Sequence, residues 1–168
     1  MSELFIDRID DDEYLFGETI DDKLYYKAKD SISKVSYKYI DLGSTEYNFC
    51  RPEFDNKDIT RYFILMQEFT SNSFNTLYEE RDREWHLHPN DYGKDKRFRE
   101  LVNKAFGLDE DLKIECRPSF YHFALYTPKG GKSATTEGLK SPRIYFFVGS
   151  DGVIYPLFYD PYHEINPM

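Results

Sequence analysis

The feature that most restricts the fold is the apolar run from Val153 to Tyr159, which predicts a strand in the core of a sheet. The six residues that follow, 160–165, read Asp-Pro-Tyr-His-Glu-Ile. Proline stops further ladder pairing because it has no backbone donor, and imidazole is the side chain whose charge changes nearest neutral pH. The sequence thus predicts a buried strand that ends in an acid, a histidine and a second acid. This ending suits an active-site rim and also suits a capped chain end.

The length and composition of the chain indicate a cytoplasmic protein. A chain of 168 residues fits one domain, or one domain with a small appendage, and should bury roughly 70 % of its unfolded surface. The mean hydropathy is -0.71, and no segment approaches the ~20 consecutive apolar residues of a membrane span. The start, Met1 to Phe5, lacks the features of a secretory signal. Cys50 and Cys116 lie outside any Cys-x-x-Cys pattern, which favours reduced thiols.

Charge is unevenly distributed along the chain. The formal net charge is -9, and residues 1–30 hold ten acidic and four basic side chains, a net charge of -6. Residues 129–143 hold four basic side chains and one acidic, a net charge of +3. Because the Debye length is about 8 Å in physiological salt, a local basic surface can bind phosphate at short range on an acidic protein. A solvated loop on a soluble acidic protein is the simpler alternative.

The residue pattern predicts an α+β fold in two regions, an acidic β-rich N-terminal region over 1–55 and an α+β domain over 56–168. In the first region, aromatic and β-branched stretches between Asp-rich or Ser-rich turns predict an antiparallel meander. Its candidate strands are Leu4 to Ile9, Tyr14 to Ile20, Leu24 to Ala28 and Val35 to Ile40.

Beyond residue 55 the apolar period changes to about 3.6, which predicts two or three helices. Asp58 is the predicted N-cap of the first helix, and a second helical stretch runs from Phe74 toward Arg81. The third helix is predicted from its Asp95 cap to Gly107. The chain then returns to an antiparallel sheet of three or four strands. The candidates are Lys113 to Arg117, Phe120 to Thr127, Arg143 to Val148 and Val153 to Tyr159, with a hairpin turn over 149–152.

The histidines are the first candidates for site chemistry. In an extended segment His86 and His88 point to the same side, and two imidazoles on one face can chelate a metal if Asp160 or His163 supplies a third ligand. No cysteine and no longer metal motif accompanies them. We therefore predict no metal and no cofactor. The alternative role of these rings is to cap strand ends or to donate to carbonyl groups.

RNA cleavage is a second, metal-free possibility. The 2'-hydroxyl nucleophile belongs to the RNA, so the protein has only to move protons and stabilise charge on the phosphorane. His163 is the candidate acid or base, and Glu164 or Asp160 would tune it. The candidate phosphate-binding side chains are Arg143, Arg97, Arg99 and Lys132, and the candidate base-stacking rings are Tyr121 and Tyr162.

The stretch 129–133 reads Lys-Gly-Gly-Lys-Ser and ends like a phosphate-binding loop. Tyr126 stands where the first glycine of that motif belongs, and residues 134–138 make a poor helix start. The stretch therefore predicts a basic loop that contacts an anionic partner, in preference to nucleotide hydrolysis.

The three strands between Phe120 and Ile165, which close on a histidine, resemble the C-terminal meander of RelE-like bacterial toxins, over about a quarter of the chain. By position, Arg143 resembles the arginine that enters the family's penultimate strand, and His163 resembles the histidine that often closes its last one. The resemblance implies a ribosome-associated messenger-RNA endonuclease or a gyrase poison. The chain departs from the family in its length, its acidic balance, residues 1–55, and Glu164, which stands where a basic residue is common.

Two functional hypotheses follow. The first is a toxin-like, metal-independent endoribonuclease that acts on RNA, free or on the ribosome, with His163, Arg143 and Glu164 as its catalytic residues. The second is a non-catalytic interaction protein of the immunity, antitoxin or anti-defence type. In that case the acidic first 30 residues mimic nucleic acid or cover a basic protein partner.

Overall fold

The computed structural model of the chain describes residues 29–80, 86–126, 140–149 and 152–167. Within these ranges it contains three α-helices, five β-strands and one 3₁₀ turn, so the predicted α+β class is confirmed. The helices are α1 (Asn56–Phe69), α2 (Phe74–Glu79) and α3 (Lys96–Phe106). The strands are β1 (Lys34–Val35), β2 (His88–Asn90), β3 (Ser119–Ala124), β4 (Arg143–Val148) and β5 (Val153–Asp160), and the 3₁₀ turn is Ile114–Cys116.

The strands form one sheet in the order β1-β5-β4-β3-β2. Strands β2 to β5 pair antiparallel, and the short β1 adds to β5 in parallel. The predicted hairpin joins β4 to β5, where the Gly149 N–H donates to the Val153 carbonyl at 2.9 Å and Gly152 adopts a φ of 76°. The apolar run at the chain end is thus a strand that is covered on both faces and paired along both edges.

A separate hydrophobic core covers each face of the sheet. The first core joins α1 and α2 to the sheet, and the second joins α3 to the sheet. Because successive strand residues point to opposite faces, Tyr159 lies in the first core and Phe158 in the second. Residues 29–55 contribute β1, Phe49 in the first core and Tyr47 in the second. The predicted domain boundary at residue 55 stays a prediction.

Helix α1 begins one turn earlier than predicted. Its N-cap is Asp55, whose side chain accepts hydrogen bonds from the Lys57 and Asp58 N–H groups, each at 3.0 Å. Asp58 is instead only 1 % exposed, because its carboxylate faces groups that distant segments bring to it. Two aspartates three residues apart are equal N-cap candidates from sequence. The predictions for α3 are confirmed: Asp95 caps it, and Gly107 ends it with a φ of 62°.

Two of the predicted strands differ from the structure. The stretch 35–40 contributes only its first residue to β1, because Ile40 donates to the Tyr37 carbonyl at 3.2 Å and closes a turn. The stretch 113–117 contains the 3₁₀ turn instead of a strand. The fourth antiparallel strand is β2, which the sequence analysis did not predict. The predicted strands over 4–9, 14–20 and 24–28 lie outside the described residues.

Candidate functional site

The four histidines of the chain lie in one row that crosses the β2–β3 edge of the sheet, here called the histidine row. The ring centroids of His86 and His88 are 6.3 Å apart, those of His88 and His122 are 5.5 Å apart, and those of His122 and His163 are 5.6 Å apart. His88 and His122 are register partners across β2 and β3. The row therefore leads from the exposed ring of His88 to two buried rings.

The segment after β5 places His163 in this row. Asp160 caps the segment, because its carboxylate accepts from the Tyr162 N–H at 3.1 Å and from the Ile165 N–H at 2.8 Å. His163 adopts a φ of 58°, a left-handed conformation that is uncommon outside glycine. Its ring is turned inward and is 5 % exposed, whereas the neighbouring Glu164 is exposed. The prediction of an open rim at His163 is therefore wrong, and the acid before it is a cap.

Both buried imidazoles of the row are neutral at pH 7. Burial, and then the charges of His163, His88 and Arg143, lower the pKa of His122 to about 2. Burial, and then the charges of Arg143 and His88, lower the pKa of His163 to about 4. These rings can accept protons, but a charged form is costly in this position.

Three buried polar groups beside His122 have no hydrogen-bond partner. They are both ring nitrogens of His163, the Tyr145 hydroxyl and the Asn90 amide nitrogen. The Tyr145 ring stacks on His122 at 5.0 Å, and the Asn90 amide oxygen lies 2.8 Å from His122 Nδ1. Burial raises the pKa of Tyr145, and the nearby backbone of Asn166 lowers it to a smaller extent. Buried groups of this kind are rare in native proteins, so the row is the candidate functional site.

Arg143 lies close to the row, but its guanidinium is used within the fold. It is 5 % exposed, and its Nη1 donates to the Ser141 carbonyl at 3.2 Å, to the Ser141 hydroxyl at 3.2 Å and to the Pro142 carbonyl at 3.3 Å. Arg143 is also the register partner of Asp160 across β4 and β5. Burial lowers its pKa. In this arrangement the side chain fixes the position of the segment that leads into β4.

Two of the other predicted phosphate ligands, Arg97 and Arg99, bond to groups of the protein. Arg97 donates to the Glu164 carbonyl at 2.8 Å and to the Tyr47 hydroxyl, and this hydroxyl lies 3.3 Å from the Glu164 carboxylate. Arg99 pairs with Asp111 at 3.0 Å and donates to a backbone carbonyl. Lys132 lies outside the described residues. The binding roles of these three cations stay predictions, as does the catalytic role of Glu164.

The two predicted stacking tyrosines have different environments. Tyr121 is 8 % exposed and packs against Phe74 and Phe146, with ring centroids 4.8 and 5.6 Å away, so the prediction that this ring is exposed is wrong. The ring is buried because a hydrophobic core covers each face of the sheet at β3. Tyr162 is 36 % exposed and remains open to a partner.

The described ranges also bear on metal binding and on membrane insertion. In those ranges no group of three or more histidine, cysteine or acidic side chains is arranged to hold a metal ion. No helix there combines the length and apolar character needed to cross a bilayer. Comparisons of the chain with protein-family models, with curated proteins and with solved structures found no match.

Sequence reasoning missed two members of the site, Asn90 and Tyr145. Neither lies next to a histidine in the chain, and both reach the row only through strand pairing and stacking. The available signal was the spacing of His86 and His88, which marks an extended segment. It does not identify the strand that pairs with this segment.

Proposed function

We propose that the protein is a cytoplasmic, non-catalytic binding protein whose acidic first 30 residues bind a basic protein partner. The observation that carries this proposal is the internal use of the cations that were expected to clamp phosphate. Arg143, Arg97 and Arg99 each bond to groups of the protein itself. His163 and Arg143 are each only 5 % exposed, so a phosphodiester has no open route to them in this fold.

The charge distribution of the chain supports the same proposal. The net charge is -9, and two thirds of it belongs to residues 1–30, which carry a net charge of -6. Such a concentration of negative charge attracts a basic surface over a distance and raises the association rate, and it repels nucleic acid.

The test is charge reversal followed by association kinetics. The chain is used to isolate its partner from cells, and the association rate with the purified partner is measured against salt. Replacing Asp10, Asp11 and Asp12 together by lysine should lower the association rate about tenfold or more at low salt, with a smaller effect at high salt. The matched control reverses Glu79, Asp109 and Glu110, three exposed acids, which changes the net charge by the same amount. An association rate that does not change in the first variant, or that falls equally in both, contradicts the proposal.

The endoribonuclease remains a second candidate because of one observation. His163 is a neutral imidazole without a hydrogen-bond partner, and it lies within the electrostatic influence of Arg143. A proton acceptor and a cation are therefore near each other, as RNA cleavage requires. In this candidate function the chain end after β5 has to move aside to admit RNA.

The ribonuclease candidate is tested with purified protein, RNA and ribosomes. Cleavage that His163→Ala abolishes and Arg61→Lys, a change outside the histidine row, leaves unchanged would support it. It fails if no RNA is cleaved, free or on ribosomes, and His163→Ala leaves any growth inhibition in cells unchanged. The RNA readout is independent of the association rate, so the two proposals are judged separately.

A further inference from the structure

We propose that a cavity at the β2–β3 edge of the sheet binds a small organic anion, with its carboxylate or phosphate on Arg117. The cavity has a volume of about 380 Å³ and lies where β2 ends and β3 begins. This volume falls within the range of small-molecule sites. Its polar lining is formed by Asn90, Asp91, Gly93, Arg117 and Ser119. The proposal does not depend on the function proposed above.

Arg117 is held in one orientation. Its Nε donates to the Leu112 carbonyl at 2.9 Å, and its guanidinium carbon lies 5.1 Å from the ring centroid of Tyr92. The Tyr92 ring in turn stacks on Phe120 at 5.7 Å, with an angle of 17° between the ring planes. The Tyr92 hydroxyl donates to the Asn103 side-chain oxygen at 2.5 Å, which keeps the ring in this orientation. A guanidinium fixed in this way suits bidentate recognition of an oxyanion.

Gly93 keeps the space beside this guanidinium open. A Cβ atom at position 93 would lie 2.9 Å from Arg117 Nη1, which is closer than real Cβ contacts. Any other residue at this position would push the terminal nitrogens of Arg117 out of place. Gly93→Ala is therefore a direct way to disturb the site without removing its charge.

The charges around the cavity favour an anion. Asp91, the acid in the lining, is engaged with the Gly93 N–H at 2.9 Å and with Lys94 Nζ at 3.3 Å. Within the described ranges, no ion pair joins Arg117 to a carboxylate.

Asn90 connects the cavity to the histidine row. The residue is 8 % exposed and belongs to the lining. The same side chain positions His122 through its oxygen, at 2.8 Å from Nδ1. The cavity therefore adjoins the histidine row without including it.

The remaining lining selects an organic molecule over a peptide strand. Pro89, which is exposed, and Pro118 provide apolar surface in the lining for a planar body. Strand addition at this edge is disfavoured, because Pro89 lies in the middle of β2 and has no N–H to donate. The aromatic ring of a small carboxylate or phosphate would contact the apolar part of the lining, and its charged group would contact Arg117.

The test is calorimetric titration of the full chain with phenyl phosphate, benzoate, inorganic phosphate and the uncharged benzyl alcohol. We expect one of the two aromatic anions, or both, to bind one site, and benzyl alcohol and inorganic phosphate to bind about tenfold more weakly or not at all. Arg117→Lys keeps the charge but loses the planar fork, and should weaken binding about tenfold, as should Gly93→Ala. Amide shifts in NMR spectra should centre on residues 90–93 and 117–120.

The matched control is Arg61→Lys. The Arg61 Nε also donates to a carbonyl, that of Leu125, at 2.9 Å, and this arginine does not line the cavity. This variant should bind the probe as the parent chain does, and circular dichroism should show all three variants folded. The proposal is overturned if neither aromatic anion binds, if Arg117→Lys binds as tightly as Arg61→Lys, or if inorganic phosphate binds as tightly as phenyl phosphate.

Discussion

Two of the buried polar clusters among the described residues lie beside opposite faces of the sheet, and they are built differently. The Asp58 cluster consists of Asp58, Tyr126, Lys140 and Tyr159. In it the aspartate accepts from Tyr159 at 2.5 Å, from Tyr126 at 2.9 Å and from Lys140 at 2.8 Å. In the histidine row, by contrast, His163, Tyr145 and Asn90 keep polar atoms without partners. The chain can thus satisfy buried polar groups fully, and does so at one of the two clusters.

This difference distinguishes buried polar groups that stabilise the fold from those that are candidates for a function. A satisfied network fixes the position of the elements that it joins, here α1, β5 and the segments at Lys140 and Tyr126. An unsatisfied group costs stability, so its presence in a native fold requires another reason. The histidine row also contains two left-handed residues, His86 with a φ of 43° and His163 with a φ of 58°. Backbone strain of this kind collects at functional sites.

The largest expected effect is the loss of the Asp58 carboxylate. Asp58→Ala removes the acceptor that Tyr126, Tyr159 and Lys140 share, although Tyr159 keeps the Glu53 carbonyl and Lys140 keeps Asp55. It should lower the free energy of unfolding by about 3 kcal/mol. The measurement is urea denaturation at pH 7. The control is Asp55→Ala, which removes a cap and an exposed contact to Lys140 and should cost less than Asp58→Ala. A smaller loss for Asp58→Ala than for Asp55→Ala would contradict the central role of this carboxylate.

The next effect is acid destabilisation through the histidine row. The pKa of His163 is about 4 in the folded protein and about 6.5 in the unfolded chain, so the unfolded state binds the proton first. The stability that comes from neutral His163 is complete above pH 6.5 and is lost as the pH falls toward 4, by up to about 3 kcal/mol. His122 acts in the same direction. Asp160, whose pKa is raised by burial, acts in the opposite one.

Urea denaturation of the parent chain and of His163→Leu, at pH 7 and at pH 4.5, measures this effect. The variant should differ from the parent by no more than about 1 kcal/mol at pH 7, since an apolar side chain of similar size replaces a ring without partners. It should lose less stability between the two pH values than the parent. Equal losses would show that His163 does not contribute to acid sensitivity.

The smallest expected effect compares the two clusters most directly, through one tyrosine hydroxyl in each. Tyr159 and Tyr145 are both fully buried, but only the Tyr159 hydroxyl has partners, Asp58 and the Glu53 carbonyl. Tyr159→Phe should cost about 2 kcal/mol, and Tyr145→Phe should be neutral within about 0.5 kcal/mol or slightly stabilising. Differential scanning calorimetry of the two variants tests this directly. The contrast between the clusters breaks down if the two substitutions cost the same.

Much of the fold could be predicted from local patterns. Helix α3 was predicted with its cap and its end because Asp95, the apolar stripe and Gly107 act within a few residues of each other. Strands β4 and β5 and their hairpin were predicted from apolar runs around a glycine turn. The errors occurred where two residues were equally good candidates for one role, as Asp55 and Asp58 were for the N-cap of α1. They also occurred where alternating apolar residues met no strand partner, as in the stretch 113–117.

The candidate site was less predictable than the fold. The sequence analysis chose His163 and the charged residues near it in the chain, but the closest ring to His163 in the histidine row is His122 on β3. Glu164, adjacent in sequence, points outward to Tyr47 instead. Tyr121 was expected on the surface and lies in the first core. Each of these outcomes depends on which side of a strand or turn faces the interior.

The sequence by itself determined the α+β class, the buried last strand, the acidic character and the presence of a histidine beyond that strand, because composition, period and capping act over short distances along the chain. Only the tertiary structure decided that His88 stands opposite His122, that Arg143 stands opposite Asp160 and that Tyr145 stacks on His122. These results follow from strand order and register, which depend on contacts between residues far apart in the chain. A shift of one residue in register would turn every one of these side chains to the other face.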